Sequence, residues 1–135
     1  MVKLSDEMKE EFAKMKIFPF ATASKDGVPN VIPIGMCFLQ EDAETIWIVD
    51  NFFLKTIENL RENPNGALYV WGPEIKGCFQ IKGNIRIIDR GEDFDEMRKI
   101  VKAKGEHFPA KFLVKMKITD IFECGPGPNA GKKLL

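Results

Sequence analysis

The stretch of residues 17–39 restricts the fold more than any other part of this chain. It contains two runs rich in Phe, Val, Ile and Thr, at 17–24 and 28–39, which are separated by only three residues. Two of these three are Asp26 and Gly27, and an Asp-Gly pair supplies the positive-φ positions of a tight hairpin. The sequence therefore predicts two antiparallel strands joined by a short turn.

The second of these strands contains two prolines. Pro29 and Pro33 have no backbone N–H, and a central strand needs that donor for its hydrogen-bonded ladder. We therefore expect the strand to have an edge portion, or a bulge near Pro33, Ile34 and Gly35. Irregular backbone at that point leaves amide and carbonyl groups free for a ligand.

The rest of the chain alternates between strand-like and helix-like patterns. Further strands are predicted at residues 45–50, 66–72, 77–89 and 112–123, with a bend or bulge at Gly83. Amphipathic helices are predicted at residues 6–15, 54–61 and 92–104. Six strands broken by three short helices predict a mainly β fold, an antiparallel barrel with helices at its ends. We expect residues 1–124 to form one domain and residues 125–135 to form an irregular tail.

Length and charge exclude several classes of protein. A chain of 135 residues fits a single domain, and its 20 basic and 20 acidic residues give a net charge of zero. A neutral chain has no general attraction to nucleic acid or anionic lipid, so an anion site must be built locally. The acidic N-terminal segment does not resemble a signal peptide, and no run of eighteen apolar residues is present. We expect a cytoplasmic protein that binds neither nucleic acid nor membrane.

The cysteines and the single histidine carry little predictive weight. Cys37, Cys78 and Cys124 are odd in number and far apart in sequence, which favours buried thiols over a disulfide framework or a zinc site. His107 has no neighbouring Ser or Asp that would suggest a triad, so a structural role in a loop is the better interpretation. No metal site is predicted.

A phosphate site is one interpretation of the start of the second helix. A strand that ends at Asp50, a short loop and a helix that opens at Lys55 and Thr56 bring backbone amides, a hydroxyl and an ammonium group together. The alternative is that Lys55 is a solvated residue and Thr56 a weak cap, and the local pattern alone favours this alternative.

Several short motifs follow one another in a specific order. They are Ala21-Thr22, Asp26-Gly27, Pro29, Lys55, Asn59-Leu60 and Asn63-Pro64. In order and spacing, over roughly residues 15–90, the chain resembles the FMN-binding split barrels of the pyridoxamine 5′-phosphate oxidase-like superfamily. It differs in having Asp50 where the family often has Ser or Thr, and an aromatic pair, Phe52 and Phe53, shortly before the lysine.

The resemblance implies a six-stranded split β-barrel that forms a homodimer, with FMN at the subunit interface. Lys55 and Thr56 are then the implied phosphate ligands. The residues implied to flank the ribityl chain and the ring, mainly through backbone atoms, are Pro33, Ile34, Gly35, Met36, Val49, Asp50 and Asn51. Gln80 is implied to hydrogen-bond a ring heteroatom, with packing at the dimer interface as an equal alternative.

Function within the superfamily is less constrained. The chain lacks the length and the arginine-rich C-terminal motif that a true pyridoxamine phosphate oxidase carries. We expect an FMN-dependent oxidoreductase that reduces a small molecule, or an electron-transfer protein with a redox partner protein. One alternative is an F420-binding reductase that uses Lys25, Lys76, Lys82, Arg86, Lys132 and Lys133 for the acidic tail of that cofactor. Another is a non-catalytic module that holds flavin or haem.

Overall fold

The computed structural model describes residues 1–135 and contains three helices and seven strands. In chain order these are α1 (Asp6–Lys14), β1 (Phe18–Ala23), β2 (Pro29–Ile34), β3 (Cys37–Leu39), β4 (Thr45–Asp50), α2 (Lys55–Glu62), β5 (Asn65–Val70), β6 (Phe79–Ile88), α3 (Glu92–Lys104) and β7 (Phe112–Glu123). None of the helices combines the length and the apolar character that a membrane crossing requires.

The strands form one curled antiparallel sheet in the order β2-β1-β5-β6-β7-β4-β3. This confirms the prediction of a mainly β split barrel with short helices, but the number of strands is seven rather than six. The predicted strand at 28–39 breaks at Gly35 and Met36. Its first part, β2, and its second part, β3, then lie at the two opposite edges of the sheet.

The hairpin between β1 and β2 has the predicted form. Gly27 has a positive φ of 85°, and the strands pair from Ala23 opposite Pro29 to Phe18 opposite Ile34. Because β2 pairs only with β1, it lies at an edge of the sheet, where residues without a backbone N–H are tolerated. The predicted edge position of the proline-containing strand is confirmed.

Strand β4 is buried on both faces, as its continuous apolar sequence predicts. Ile46 and Ile48 point into the main core of 21 buried residues inside the curl of the sheet. Trp47 and Val49 point the other way, into a second core of six residues beneath α3. This strand therefore fixes the position of α3 relative to the barrel.

The bulge in β6 falls at the predicted glycine. The register of β6 against β7 shifts between Lys82 and Gly83. A Cβ atom on Gly83 would lie 2.6 Å from the carbonyl oxygen of Lys117 on β7. Glycine is required here because the neighbouring backbone comes too close for any side chain.

The C-terminal segment folds back along β7. The amide of Glu123 donates to the carbonyl of Lys132 at 2.8 Å, and the amide of Leu134 donates to the carbonyl of Ile121 at 2.7 Å. The residues after position 124 thus form an irregular but hydrogen-bonded return segment.

The prediction of buried thiols is correct for Cys37 and wrong for the other two cysteines. Cys37 lies in the main core, whereas Cys78 is half-buried and Cys124 is exposed. Cys78 and Cys124 occupy the ends of adjacent strands, where the sheet meets solvent. Sequence spacing could not show this, because 46 residues separate them along the chain.

Candidate functional site

A cavity of about 550 Å³ opens where the chain passes from β2 to β3. Twelve residues from four separate segments line it: Ile32–Met36, Phe38, Val49, Asn51–Phe53, Lys104 and Phe108. Most of the lining is apolar, and the size lies within the range of about 300–1,000 Å³ that is usual for ligand sites. Pro33, Ile34, Gly35, Met36, Val49 and Asn51, all predicted from sequence, therefore lie around one cavity.

The bend between β2 and β3 forms one wall of this cavity. The carbonyl of Met36 accepts a hydrogen bond from the amide of Val49 at 3.1 Å, which attaches the bend to β4. Pro33 has no amide donor and Gly35 has no side chain, and both line the cavity. Contact with a ligand mainly through backbone atoms stays a prediction.

Asp50 shapes the turn that leads from β4 to α2. Its side chain is fully buried, and its Oδ1 accepts the amide of Phe53 at 2.9 Å. The Nζ of Lys111 lies 3.7 Å from Oδ1, while Oδ2 has no hydrogen-bond partner. Burial raises the pKa of this carboxyl group, and the Phe53 amide and Lys111 offset part of that rise. Asp50 thus supports the cavity from below and does not line it.

The start of α2 is open to a ligand. Leu54 occupies the N-cap position, where it cannot accept a hydrogen bond from the first-turn amides of the helix. Lys55 follows with its side chain 78% exposed, and its Nζ lies 3.8 Å from Oε2 of Glu58. A positive helix end and an exposed ammonium group therefore lie three residues after the cavity-lining Phe52.

The hydroxyl of Thr56 points away from this open end. Thr56 is only 1% exposed, and its Oγ1 accepts a hydrogen bond from Nδ2 of Asn30 at 3.1 Å. Asn30 also donates to Oγ1 of Thr22 at 3.3 Å, and Asn59 donates to the same oxygen at 3.1 Å. This buried polar network fastens α2 to β1 and β2, and the structure does not bring the Thr56 hydroxyl to the cavity.

The far wall of the cavity is held by Asn51. Its Oδ1 accepts the amide of Ala110 at 2.9 Å, and its Nδ2 lies 3.4 Å from the Sδ of Met36. Ala110 has a positive φ of 45°, and Arg98 on α3 donates to its carbonyl at 2.8 Å. These contacts place Phe108 of the same loop against the cavity.

The sequence pattern of the pyridoxamine 5′-phosphate oxidase family matches residues 4–125. This chain belongs to that family. An uncharacterized protein of Methanocaldococcus jannaschii is 36% identical over 137 residues, covering 98% of this chain and 88% of that protein.

Solved structures with low sequence identity support the same family fold. HupZ of Group A Streptococcus has a TM-score of 0.79 at 22% identity and covers 95% of this chain and 99% of its own. An FMN-binding protein from Syntrophomonas wolfei has a TM-score of 0.69 at 21% identity, with coverages of 87% and 82%. An F420 reductase has a TM-score of 0.67 at 14% identity and covers 87% of this chain and 98% of its own. A heme storage protein from Vibrio cholerae has a TM-score of 0.63 at 17% identity and covers 90% of this chain and 95% of its own.

Six of the twelve cavity residues were not predicted from the sequence, and two of these, Lys104 and Phe108, come from a distant part of the chain. Lys104, the last residue of α3, lines the cavity and makes no ion pair, and its Nζ lies 5.9 Å from the centre of the Phe38 ring. Phe108 follows in the next loop. Both come from beyond the region that carries the family resemblance, and only the contact between Asn51 and Ala110 shows why they reach the site.

The aromatic pair before the lysine lines the cavity, while the last predicted residue lies elsewhere. Phe52 is 74% exposed at the cavity edge, and Phe53, which also lines the cavity, is buried and packs near Phe20. Gln80 is half-buried on β6, opposite Tyr69 and Phe122, and does not line the cavity. Within one chain, Gln80 is therefore separate from the other predicted residues.

Proposed function

We propose that this protein binds FMN in the cavity between β2, β3 and β4 and acts as an oxidoreductase or electron-transfer flavoprotein. The observation that carries the proposal is the cavity itself. Its volume of about 550 Å³ and its mainly apolar lining suit a flat aromatic ring, and the bend at Pro33–Met36 forms part of that lining.

The residues present fit the ring portion of FMN. Val49 and Phe108 offer apolar surface, and the backbone between Pro33 and Met36 offers polar atoms for the ring edge. The amide group of Asn51 is already engaged with Ala110 and Met36. Lys104 is the one charged side chain in the lining, and it makes no ion pair. Bound FMN would supply the redox chemistry, and the protein would position it and control access to it.

The phosphate group of FMN is assigned to the start of α2. Lys55 and the uncapped amides of the helix provide positive charge close to the cavity edge at Phe52. The Thr56 hydroxyl would reach a phosphate only if Asn30 turned away, because Asn30 now donates to it. We therefore give Lys55 the main role in phosphate binding and Thr56 the role of holding α2 in place.

A homodimer is part of the proposal. The outer face of β1, β2 and β5 exposes a group of apolar side chains around a second cavity of about 330 Å³: Met15, Ile17, Pro19, Val31, Ile32, Pro33, Tyr69 and Trp71. Val31 is 65% exposed and Trp71 is 55% exposed, which is unusual for large side chains that cluster on one face. A second copy that covers this face would lie directly behind the wall of the main cavity.

F420 and haem fit the side chains of this protein less well than FMN does. Of the basic residues suggested for the acidic tail of F420, Lys133 pairs with Asp120 at 3.0 Å and Lys82 lies over the ring of Phe122 at 5.0 Å. Neither lines the main cavity. For haem, the one histidine, His107, stacks on Phe108 at 4.1 Å and lies outside the lining. We therefore favour FMN.

The deciding experiment identifies the cofactor. The purified protein is expected to show flavin absorption and to release FMN on denaturation, as identified by mass spectrometry. Protein stripped of cofactor is then titrated in parallel with FMN, F420 and haemin. A colourless protein that takes up F420 but not FMN would refute the FMN assignment. A monomer that binds FMN tightly in a sizing experiment would contradict the dimer while leaving the cavity assignment intact.

A further inference from the structure

Two thiols lie side by side at the end of the sheet opposite the turn between β1 and β2. Cys78 comes directly before β6, and Cys124 comes directly after β7. Their Sγ atoms are 2.7 Å apart, and the amide of Cys124 donates to the carbonyl of Cys78 at 3.0 Å. Both cysteines are free thiols. The backbone pairing of two adjacent strands therefore holds the two sulfur atoms within reach of each other.

The surroundings make this pair accessible and distinct from Cys37. Cys78 lines a cavity of about 440 Å³, together with Trp71 and the turn that begins at Gly125. Cys124 is exposed, whereas Cys37 is buried in β3. Partial burial of the sulfur atom, followed by the neighbouring Cys78, raises the pKa of the Cys124 thiol to about 12. The exposure of Cys124 gives a small disulfide access to the pair, while the raised pKa leaves little thiolate at neutral pH, so we expect exchange to be slow there.

A metal site is a weaker interpretation of the same pair. A closed site for a soft metal needs three or four thiolate, imidazole or carboxylate ligands. No group of three or more such side chains with the spacing of a metal site is present in the molecule. The carboxylate of Glu123, which is the nearest candidate in sequence, instead accepts the amide of Gly125 at 2.9 Å.

We propose that Cys78 and Cys124 form a redox-active pair that closes to an intramolecular disulfide by exchange with a small disulfide of the glutathione class. One protein thiolate attacks a sulfur atom of the small disulfide and expels one small thiolate, which takes up a proton. The second protein thiol then loses its proton and attacks the protein sulfur of the mixed disulfide, releasing the second small thiol. The protein dithiol is oxidised, and the small disulfide is reduced to two thiols.

The bond would link β6 to β7 at the point where the chain turns into its C-terminal return segment. Gly125 begins that turn, and the amide of Gly131 returns to the carbonyl of Glu123 at 2.7 Å. Closing the pair would fix the start of this turn covalently to β6, while the hydrogen bond of Gly131 holds its end. This site is separate from the proposed flavin cavity and does not depend on what that cavity binds.

The test uses the full-length protein and oxidised glutathione. The reduced protein is incubated over a range of ratios of reduced to oxidised glutathione, quenched with acid, alkylated and analysed by peptide mass spectrometry. We expect two of the three thiols to disappear together, a linked peptide that joins Cys78 to Cys124, and full reversal by dithiothreitol. In the single variants Cys78→Ser and Cys124→Ser, we expect a glutathione adduct on the remaining partner.

The pairing also predicts a quantitative difference between the two kinds of product. Closing the disulfide releases two reduced glutathiones and forming the adduct releases one, so the two products are compared at one fixed concentration of reduced glutathione. Because the second step is intramolecular, half of the wild-type protein should then be oxidised at a concentration of oxidised glutathione at least about 100-fold lower than the one that half-forms the adduct in Cys78→Ser. Three unreacted thiols, a persistent glutathione adduct on the wild type, or a disulfide between two chains would each overturn the proposal.

Discussion

The most direct test of the phosphate assignment is the substitution Lys55→Ala, measured with two ligands that differ only in the phosphate group. FMN carries the phosphate, and riboflavin does not. If Lys55 contacts the phosphate, its removal should weaken FMN binding and leave riboflavin binding unchanged. A general disturbance of the site would weaken both ligands by similar factors.

The exposure of the side chain sets the size of the effect. A hydrogen bond to a charged group contributes about 1.5–3 kcal/mol. Because the Lys55 side chain is 78% exposed and already 3.8 Å from Glu58, the lower end applies, about 1.5 kcal/mol or roughly tenfold in affinity. Salt should reduce the difference, since the screening length falls from about 30 Å at 0.01 M to about 3 Å at 1 M ionic strength.

The assay is quenching of flavin fluorescence, titrated at low and at high salt. Lys25→Ala is the matched control, because Lys25 is an exposed lysine at the tip of the β1–β2 hairpin, away from the cavity. We expect the control to bind both ligands like the unmodified protein. Equal FMN affinity in Lys55→Ala and in the unmodified protein would refute the phosphate assignment. An equal loss for FMN and riboflavin would refute the reasoning that the effect is electrostatic.

Three further predictions concern stability. The disulfide between Cys78 and Cys124 would close a loop of 46 residues, for which the chain-entropy relation gives about 4 kcal/mol of stabilisation. With a urea slope of about 2 kcal/mol/M, the unfolding midpoint of the oxidised protein should lie about 2 M higher in urea than that of the reduced protein, and an unchanged midpoint would argue against the bond. Burial raises the pKa of Asp50, so the folded state binds this proton more tightly than the unfolded state does. As pH rises from about 4, the ordinary Asp value, through the raised pKa of the folded state, the wild type should therefore lose stability relative to Asp50→Asn. Parallel curves of unfolding free energy against pH for the two proteins would contradict this. Gly83→Ala places a methyl group 2.6 Å from the carbonyl of Lys117 and should destabilise the protein by about 1–3 kcal/mol in urea unfolding, so a neutral effect would show that the bulge can relax.

The sequence predicted the elements of the fold better than their connection. Gly27 and the two prolines of β2 act through local backbone restrictions, which are visible in any short window, and the hairpin and the edge strand were correctly predicted from them. The irregular backbone near Gly35 was predicted as an edge portion or a bulge within one strand. The structure instead sends β2 and β3 to opposite edges of the sheet, because β3 pairs with β4 and β4 pairs with β7 near the end of the chain. Pairing between strands as distant as β4 and β7 leaves no local signal in the sequence.

The candidate site shows the same division. The predicted residues from 33 to 51 lie close together because two consecutive strands and one short connection carry them. Lys104 and Phe108 were missed because their position depends on a hydrogen bond between Asn51 and Ala110, 59 residues apart. Thr56 has the residue type of a phosphate ligand, but its hydroxyl is bound within a buried network that only the packing of α2 against β2 creates.

The two cavities of this molecule share part of one strand. Ile32 and Pro33 of β2 line both the main cavity and the second, apolar cavity. If a second copy covers the apolar cavity, the affinity between copies and the affinity for the cofactor are linked, and each must change the other by the same factor. Cofactor retention would then depend on protein concentration, and dilution alone would weaken cofactor binding without any change in the residues that contact it.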